Sequence, residues 1–311
     1  MTPVRRQRPF CLNLDGASVT NPNIPQPGQA SMWEHLMGVP FTQGYIDARG
    51  VRTRYLRAGR PDAPPLVLLH GTTGHIETYM RNIAEHAQHF DVIAIDMLGH
   101  GYTDKPDIDY EIPQYAAHLR DVLDAFKLDS VLISGQSLGG WVAGRFCLDH
   151  PERVRRLCLN TTGGAHSNAA GMKAVYEKTL AAAQNPTTEV VRQRLEILMS
   201  NPAAVTDELV ATRRRAYLVE GMVEATRRIL CLQIPEIRQR NIIPDEHWSR
   251  ITVPTLVLWT TDDPTFPVSV GEKLAGLIRG SQLEILTGCG HWPQWERAEQ
   301  FNRVHLQFMR Q

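Results

Sequence analysis

Short apolar runs recur along this chain at Leu66–Leu69, Val92–Ile95, Val131–Ser134, Val154–Leu159 and Thr255–Trp259. Each has the length of a strand and little alternation, the pattern of strands buried on both faces of a mostly parallel sheet. Helical spacing of apolar and polar positions fills the intervals at Glu77–His89, Ile112–Phe126, Trp141–His150, Val268–Arg279 and Pro293–Arg310. Alternation of this kind predicts an α/β sheet with right-handed crossovers. Ahead of it, Gln43–Asp47 and Val51–Ala58 flank Ala48, Arg49 and Gly50, a hairpin signal, and Gln282–Leu286 supplies a last strand.

Two stretches break the rhythm. Residues 1–40 are rich in Pro, Asn and Gln and read as an irregular arm, with a short helix expected at Ser31–Met37. From Gly164 to Asn241 only helical patterns occur, among them Thr188–Met199 and Asp207–Leu232. A block of helices between two core strands is the pattern of an inserted cap that shields a pocket from water. The expected organisation is an arm (1–40), a first core part (41–163), a helical cap (164–245) and a second core part (246–311).

Composition narrows the chemistry. The 311 residues are 42% hydrophobic and 21% charged, an ordinary globular composition, and Lys plus Arg equals Asp plus Glu at 33 each. That balance gives no reason to expect nucleic acid or a membrane surface as partner. Arg5, Arg6 and Arg8 are followed by no apolar segment, so no secretory signal is expected, and no run approaches the roughly 18 apolar residues of a membrane span. The odd set Cys11, Cys147, Cys158, Cys231 and Cys289 contains no CxxC pair and reads as reduced thiols of a cytoplasmic protein. No metal-ligand spacing, phosphate loop or dinucleotide fingerprint is present, so no cofactor or metal is expected.

Chemistry enters at Gly135-Gln136-Ser137-Leu138-Gly139, between an apolar run and a helical stretch. A turn this tight needs small residues where strand and helix backbones nearly touch, and it presents the serine at a helix N-terminus, where an oxyanion is favoured. Ser137 is therefore the candidate nucleophile. A base and an orienting acid should follow it. His291, in the glycine-rich loop after Gln282–Leu286, is the candidate base. Asp263 and Asp262, after the Thr255–Thr261 run, are the candidate acids. The oxyanion donors expected are the N–H of Leu138 and one from the loop His70-Gly71-Thr72-Thr73-Gly74, with Thr72 preferred and Thr73 beside the substrate. His70 and His100 are expected to hold turns, and Glu77 to cap the next helix.

Together these motifs resemble the α/β-hydrolase superfamily, which implies a mostly parallel sheet flanked by helices and a Ser-Asp-His triad. In the family's acid turn, Gly-x-x-Asp-x-x-x-Pro, the acid position falls on Asp263 of Thr260–Pro267, with Thr260 in place of the glycine. Gly288, Gly290, His291, Trp292, Trp295 and Glu296 look like the meta-cleavage product hydrolases, which cleave carbon–carbon bonds in 2-hydroxy-6-oxo-hexa-2,4-dienoates. The resemblance implies a small-molecule substrate, a homodimer or higher assembly, a wall for the dienoate at Trp292, and a cap arginine for its carboxylate. Arg213 of Thr206–Arg213 takes that place. Gln136 stands where the family often has Asn, and its amide is expected at the substrate. The core motifs are equally compatible with a carboxylesterase or lactonase, and the fold also serves non-catalytic receptors of small ligands.

Overall fold

The computed structural model describes residues 31–311. The arm residues before Ser31, with Cys11 and the Arg5, Arg6 and Arg8 cluster, lie outside the described residues. Met32–Leu36 forms a single 3-10 turn that buries Met32 and Leu36, and the body of the fold follows it.

One eight-stranded sheet organises the body: β1 (Phe41–Ala48), β2 (Val51–Ala58), β3 (Pro65–Leu69), β4 (Asp91–Ile95), β5 (Val131–Gln136), β6 (Val154–Asn160), β7 (Thr255–Thr260) and β8 (Gln282–Leu286), in the spatial order β1-β2-β4-β3-β5-β6-β7-β8. The β1–β2 hairpin turns through Arg49 and Gly50, both with positive φ (54° and 89°), the conformation that matches a two-residue turn to strand twist. β2 pairs antiparallel with β4, and β3 to β8 are mutually parallel. The central strands β4, β5 and β7 are buried along their whole length, which is why they read as unbroken apolar runs.

Parallel strands place their C-terminal ends along one edge, and the sheet order reverses between β3 and β5, a crevice where α/β sheets bind ligands. The block between β6 and β7 contains helices and no strand, from Ala169–Gln184 to Asp245–Trp248. Its two ends are closed by a backbone bond from Ile243 N–H to the Gly164 carbonyl (3.1 Å). Two expected helices are divided. Asp207–Leu232 breaks into Asp207–Tyr217 and Met222–Ile229, with Gly221 at φ 75°, a left-handed conformation that glycine favours, just before the second helix. Pro293–Arg310 breaks at Arg297, which leaves helical geometry and donates through its guanidinium to the Gly288 carbonyl (2.7 Å). No helix among the described residues is long and apolar enough to cross a membrane.

Several histidines serve the core as neutral hydrogen-bonding groups. His86 Nδ1–H donates to the Asn82 carbonyl (2.7 Å), so its Nε2 is the acceptor for His305 Nδ1–H (2.9 Å). Burial pushes His86 and His118 down to about 4 and His100 to about 3, and also holds His70 and His305 well below the usual value. In the unfolded chain these imidazoles protonate near the usual 6.5. Below that pH the unfolded state binds protons that the folded state refuses, so stability is lost as pH falls. The expected outcome is a thermal midpoint that declines as the pH drops from about 6.5 towards about 4. A midpoint constant over that window in calorimetric scans would contradict it.

Candidate active site

The turn after β5 is held by two very close backbone approaches. A Cβ on Gly135 would lie 2.2 Å from the Gly139 carbonyl oxygen, and one on Gly139 would lie 2.3 Å from that of Leu69 at the end of β3. Both positions admit glycine alone without moving backbone. Between them Ser137 is held at φ 54°, ψ −113°, a sparsely populated region for a residue with a side chain. Hydrogen bonds over-determine it. Its N–H donates to the Asn160 carbonyl (3.0 Å), and its carbonyl accepts from Trp141 N–H (3.1 Å) and Gly163 N–H (3.0 Å). The helix Leu138–Asp149 starts at the next residue, so the Leu138 N–H has no acceptor within the helix.

Asp263 and His291 come together in space. His291 Nδ1 lies 2.8 Å from Asp263 Oδ2, with both side chains buried. The other carboxylate oxygen, Oδ1, accepts from the N–H groups of Thr265 (2.7 Å) and Phe266 (3.2 Å). A carboxylate fixed in this way holds the Nδ1–H tautomer and leaves Nε2 free to accept a proton. Asp262 is turned elsewhere: its Oδ2 accepts from Ser200 Oγ of the cap (2.9 Å). The His291 backbone is fixed too. Its N–H donates to the Leu198 carbonyl (2.7 Å), and its carbonyl accepts from Gln136 Nε2 (3.0 Å) and Thr161 Oγ1 (3.1 Å). The Gln136 amide, expected at the substrate, thus spends its N–H on the histidine loop, although the side chain also borders the cavity.

The loop after β3 is built on a buried charge cluster. His70 Nε2 accepts from Met97 N–H (3.0 Å), so its Nδ1–H donates to the Gly71 carbonyl (2.8 Å), and Gly74 N–H closes a turn on that same carbonyl (2.8 Å). Below the loop, Arg54 binds Glu77 (2.6 Å) and Asp96 (3.2 Å), while Glu77 also binds His75 Nδ1 (2.8 Å). Glu77 is therefore not a helix cap. Burial would raise its carboxyl, but His75 and Arg54 together hold it below the usual range. Burial raises Asp96, whose oxygens accept from the N–H groups of Ile76 and Tyr102 (both 2.9 Å).

A cavity of about 180 Å³ lies between the strand ends and the helical block, bordered by Thr72, Ser137 and His291 from below. Trp292 forms part of its wall, whereas Thr73 and Arg213 do not border it. Thr73, at φ 52°, is buried with its Oγ1 between Tyr217 Oη (3.2 Å) and Arg213 Nη1 (3.4 Å). Of the run Arg213, Arg214 and Arg215, only Arg213 is buried, at 2% exposure. Its guanidinium lies over the rings of Trp292 (5.4 Å) and Tyr217 (6.0 Å), and its Nε and Nη2 have no hydrogen-bond partner.

Glu296 was legible only as part of a motif, with no role attached. Its carboxylate accepts from Gly290 N–H (2.8 Å) on the histidine loop and from Asn201 N–H (2.6 Å) and Ser200 N–H (3.2 Å) in the helical block. It ties the two together where Gly290 leaves no room for a side chain against Leu198 and Ser200. Glu296→Ala is expected to cost about 1–3 kcal/mol in urea unfolding, since it strands those N–H groups. A variant as stable as the parent would show the tie to be dispensable.

Comparison with known proteins identifies the fold family. Residues 64–298 match the family model described as the alpha/beta hydrolase fold. The chain is 31% identical to a 2-hydroxy-6-oxo-6-(2'-aminophenyl)hexa-2,4-dienoic acid hydrolase of Metapseudomonas resinovorans, over 86% of this chain and 91% of that one. It is 32% identical to a 2-hydroxy-6-oxononadienedioate/2-hydroxy-6-oxononatrienedioate hydrolase of Burkholderia vietnamiensis, covering 85% and 93%. A solved meta-cleavage product hydrolase of Pseudomonas fluorescens superposes with a TM-score of 0.76 at 30% identity, covering 86% of this chain and 97% of that one. The chain belongs to the α/β-hydrolase fold family, with meta-cleavage product hydrolases among its relatives.

Proposed function

We propose that this protein hydrolyses a carbon–carbon bond in 2-hydroxy-6-oxo-hexa-2,4-dienoate-type ring-fission products, with Ser137, His291 and Asp263 as its triad. The observation that carries this reading beyond a general esterase is Arg213. A buried guanidinium with no carboxylate partner and two uncommitted nitrogens is costly unless an anion completes it. An uncharged ester could accept a hydrogen bond from it but brings no negative charge to neutralise it. A dienoate carboxylate does, and the planar fork suits two-point binding.

In the reaction, Arg213 holds the carboxylate beside Trp292 and the dienol ketonises. His291 Nε2 then removes a proton as oxygen adds to the C6 carbonyl, through Ser137 Oγ or through water that it orients. The N–H groups of Thr72 and Leu138 take the developing oxyanion. Collapse breaks the C5–C6 bond, and its electron pair passes through the C3–C4 double bond to the C2 oxygen, which takes the proton back from His291. Ketonisation has already placed the second hydrogen on C5, and water supplies OH to C6, giving a 2-hydroxypentadienoate and a carboxylic acid. The protein works as a homodimer or higher assembly in the cytoplasm in this reading. Among the described residues the buried, unbridged thiols Cys147, Cys158, Cys231 and Cys289 support a reducing compartment.

Purified protein should bleach coloured dienolates of this class faster than it hydrolyses aryl or alkyl esters; turnover of esters alone would overturn the assignment. Ser137→Ala and His291→Ala should each lower kcat by about 10³-fold or more. Asp263→Asn should be comparably damaging, whereas Asp262→Asn should leave kcat within a few fold; a reversed order would move the acid. Arg213→Gln should raise KM for the dienolate at least about tenfold. An unchanged KM would remove Arg213 from carboxylate binding.

A further inference from the structure

Two consecutive residues at the end of β6 touch both halves of the Ser137–His291 pair without touching the cavity. The Asn160 carbonyl accepts the Ser137 N–H (3.0 Å), and the Thr161 hydroxyl donates to the His291 carbonyl (3.1 Å). The same hydroxyl accepts from Gln136 Nε2 (3.4 Å), which also donates to the His291 carbonyl (3.0 Å). Asn160 Nδ2 donates to Gln294 Oε1 (3.0 Å), on the short helix Pro293–Glu296 just after the histidine. Asn160 and Thr161 are fully buried, and neither borders the cavity.

Thr161 is held in a costly conformation. Its φ is 40°, a genuine outlier for a β-branched residue and one that glycine would adopt without a steric cost. Its N–H is fixed on the Leu258 carbonyl of β7 (2.9 Å). Filling the space would ask only for the shape of valine. Glycine would relieve the backbone but offer no hydroxyl. What threonine adds over both is the bond to the histidine loop. That bond matters because of the sheet order: Ser137 follows β5 and His291 follows β8, with β6 and β7 between them. The end of β6 spans that gap, with one backbone group on the nucleophile and one side chain on the base's loop.

We infer that Thr161 is a positioning residue, whose hydroxyl, with Asn160 beside it, sets the His291 loop against the Ser137 turn and so aligns the imidazole with the serine hydroxyl. This rests on Ser137 and His291 acting as the nucleophile–base pair. Proton transfer between them is steep in geometry, and a misplacement of about 1 Å can cost about 100-fold. Substrate is held by other residues, so the loss falls on kcat rather than on KM.

The test removes the hydroxyl with and without the rest of the side chain. Thr161→Val keeps the shape, while Thr161→Ser and Thr161→Ala both lose the methyl group and differ from each other only in the hydroxyl. Two rates are read. One is dienolate turnover. The other is phosphorylation of Ser137 by diisopropyl fluorophosphate, in which Ser137 Oγ displaces fluoride from phosphorus and His291 Nε2 takes the proton. Thr161→Val should lower kcat and the phosphorylation rate at least about tenfold each with KM within about threefold of the parent, and Thr161→Ser should keep both rates within about threefold. If the valine variant does not fold, the serine variant should still exceed the alanine variant at least about tenfold in both rates. Parent-like rates in a folded Thr161→Val, or serine and alanine variants slowed alike, would overturn the inference, the second by assigning Thr161 to packing alone. If the parent bleaches no dienolate, the carbon–carbon reading fails, and the phosphorylation rates still decide the role of Thr161. A Ser137 inert to the reagent in the parent would overturn the nucleophile–base pair and the inference with it.

Discussion

The contact on which the site depends is the approach of the helix Leu138–Asp149 to the ends of β3 and β5. Two glycines let carbonyl oxygens of neighbouring backbone come within a distance that any Cβ would occupy. That approach holds Ser137 in a conformation it would not choose and stands its hydroxyl at a helix start. It also brings the start of that helix against the β3 end, so that the candidate nucleophile and candidate oxyanion donors are placed by the same packing. The strain is offset by three hydrogen bonds on Ser137 backbone atoms and by strands buried from end to end.

Around this fixed point, the remaining groups are positioned by polar contacts rather than by apolar burial. Beneath the oxyanion loop, Arg54 satisfies two carboxylates at once, and the neutral His70 bridges the loop to the residue after Asp96. On the far side, Gln136, Thr161 and Glu296 hold the His291 loop through its backbone, leaving the imidazole ring to meet Asp263. A buried polar network of this kind rigidifies only while every member is satisfied. The unsatisfied members are informative for that reason. Arg238 borders the cavity that contains Ser137, and Arg213 packs over Trp292 in its wall; Arg238 keeps one nitrogen and Arg213 two without an acceptor. Unfilled cationic hydrogen-bonding capacity beside the cavity points to an anionic ligand more directly than the shape of the cavity does.

What could be read from the sequence was local. Unbroken apolar runs announce strands covered on both faces, because burial on both sides leaves no reason for alternation. A serine between glycines at a strand-to-helix change announces an elbow, because sterics at that turn admit little else. The order of acid and base along the chain followed from the same strand ends, and Asp263 and His291 do meet. Helix limits were less legible: a left-handed residue at Gly221 and a side-chain bond from Arg297 to Gly288 interrupt patterns that are otherwise continuous.

Tertiary structure decided everything that depends on which distant groups face one another. Neighbouring aspartates with the same local sequence were separated only when one met an imidazole and the other a cap serine. Three consecutive arginines were told apart only when packing buried one and left two in solvent. Arg238 carries no motif, and Glu77 looked like a cap until its partners proved to be Arg54 and His75. The sequence by itself determined the strands, the elbow and the chain order of the reacting groups, since those follow from backbone sterics and burial within a few residues. The ownership of each charge and the polarity of the pocket were settled only by the folded chain, because pairing energies depend on distance and desolvation between residues that the sequence places far apart.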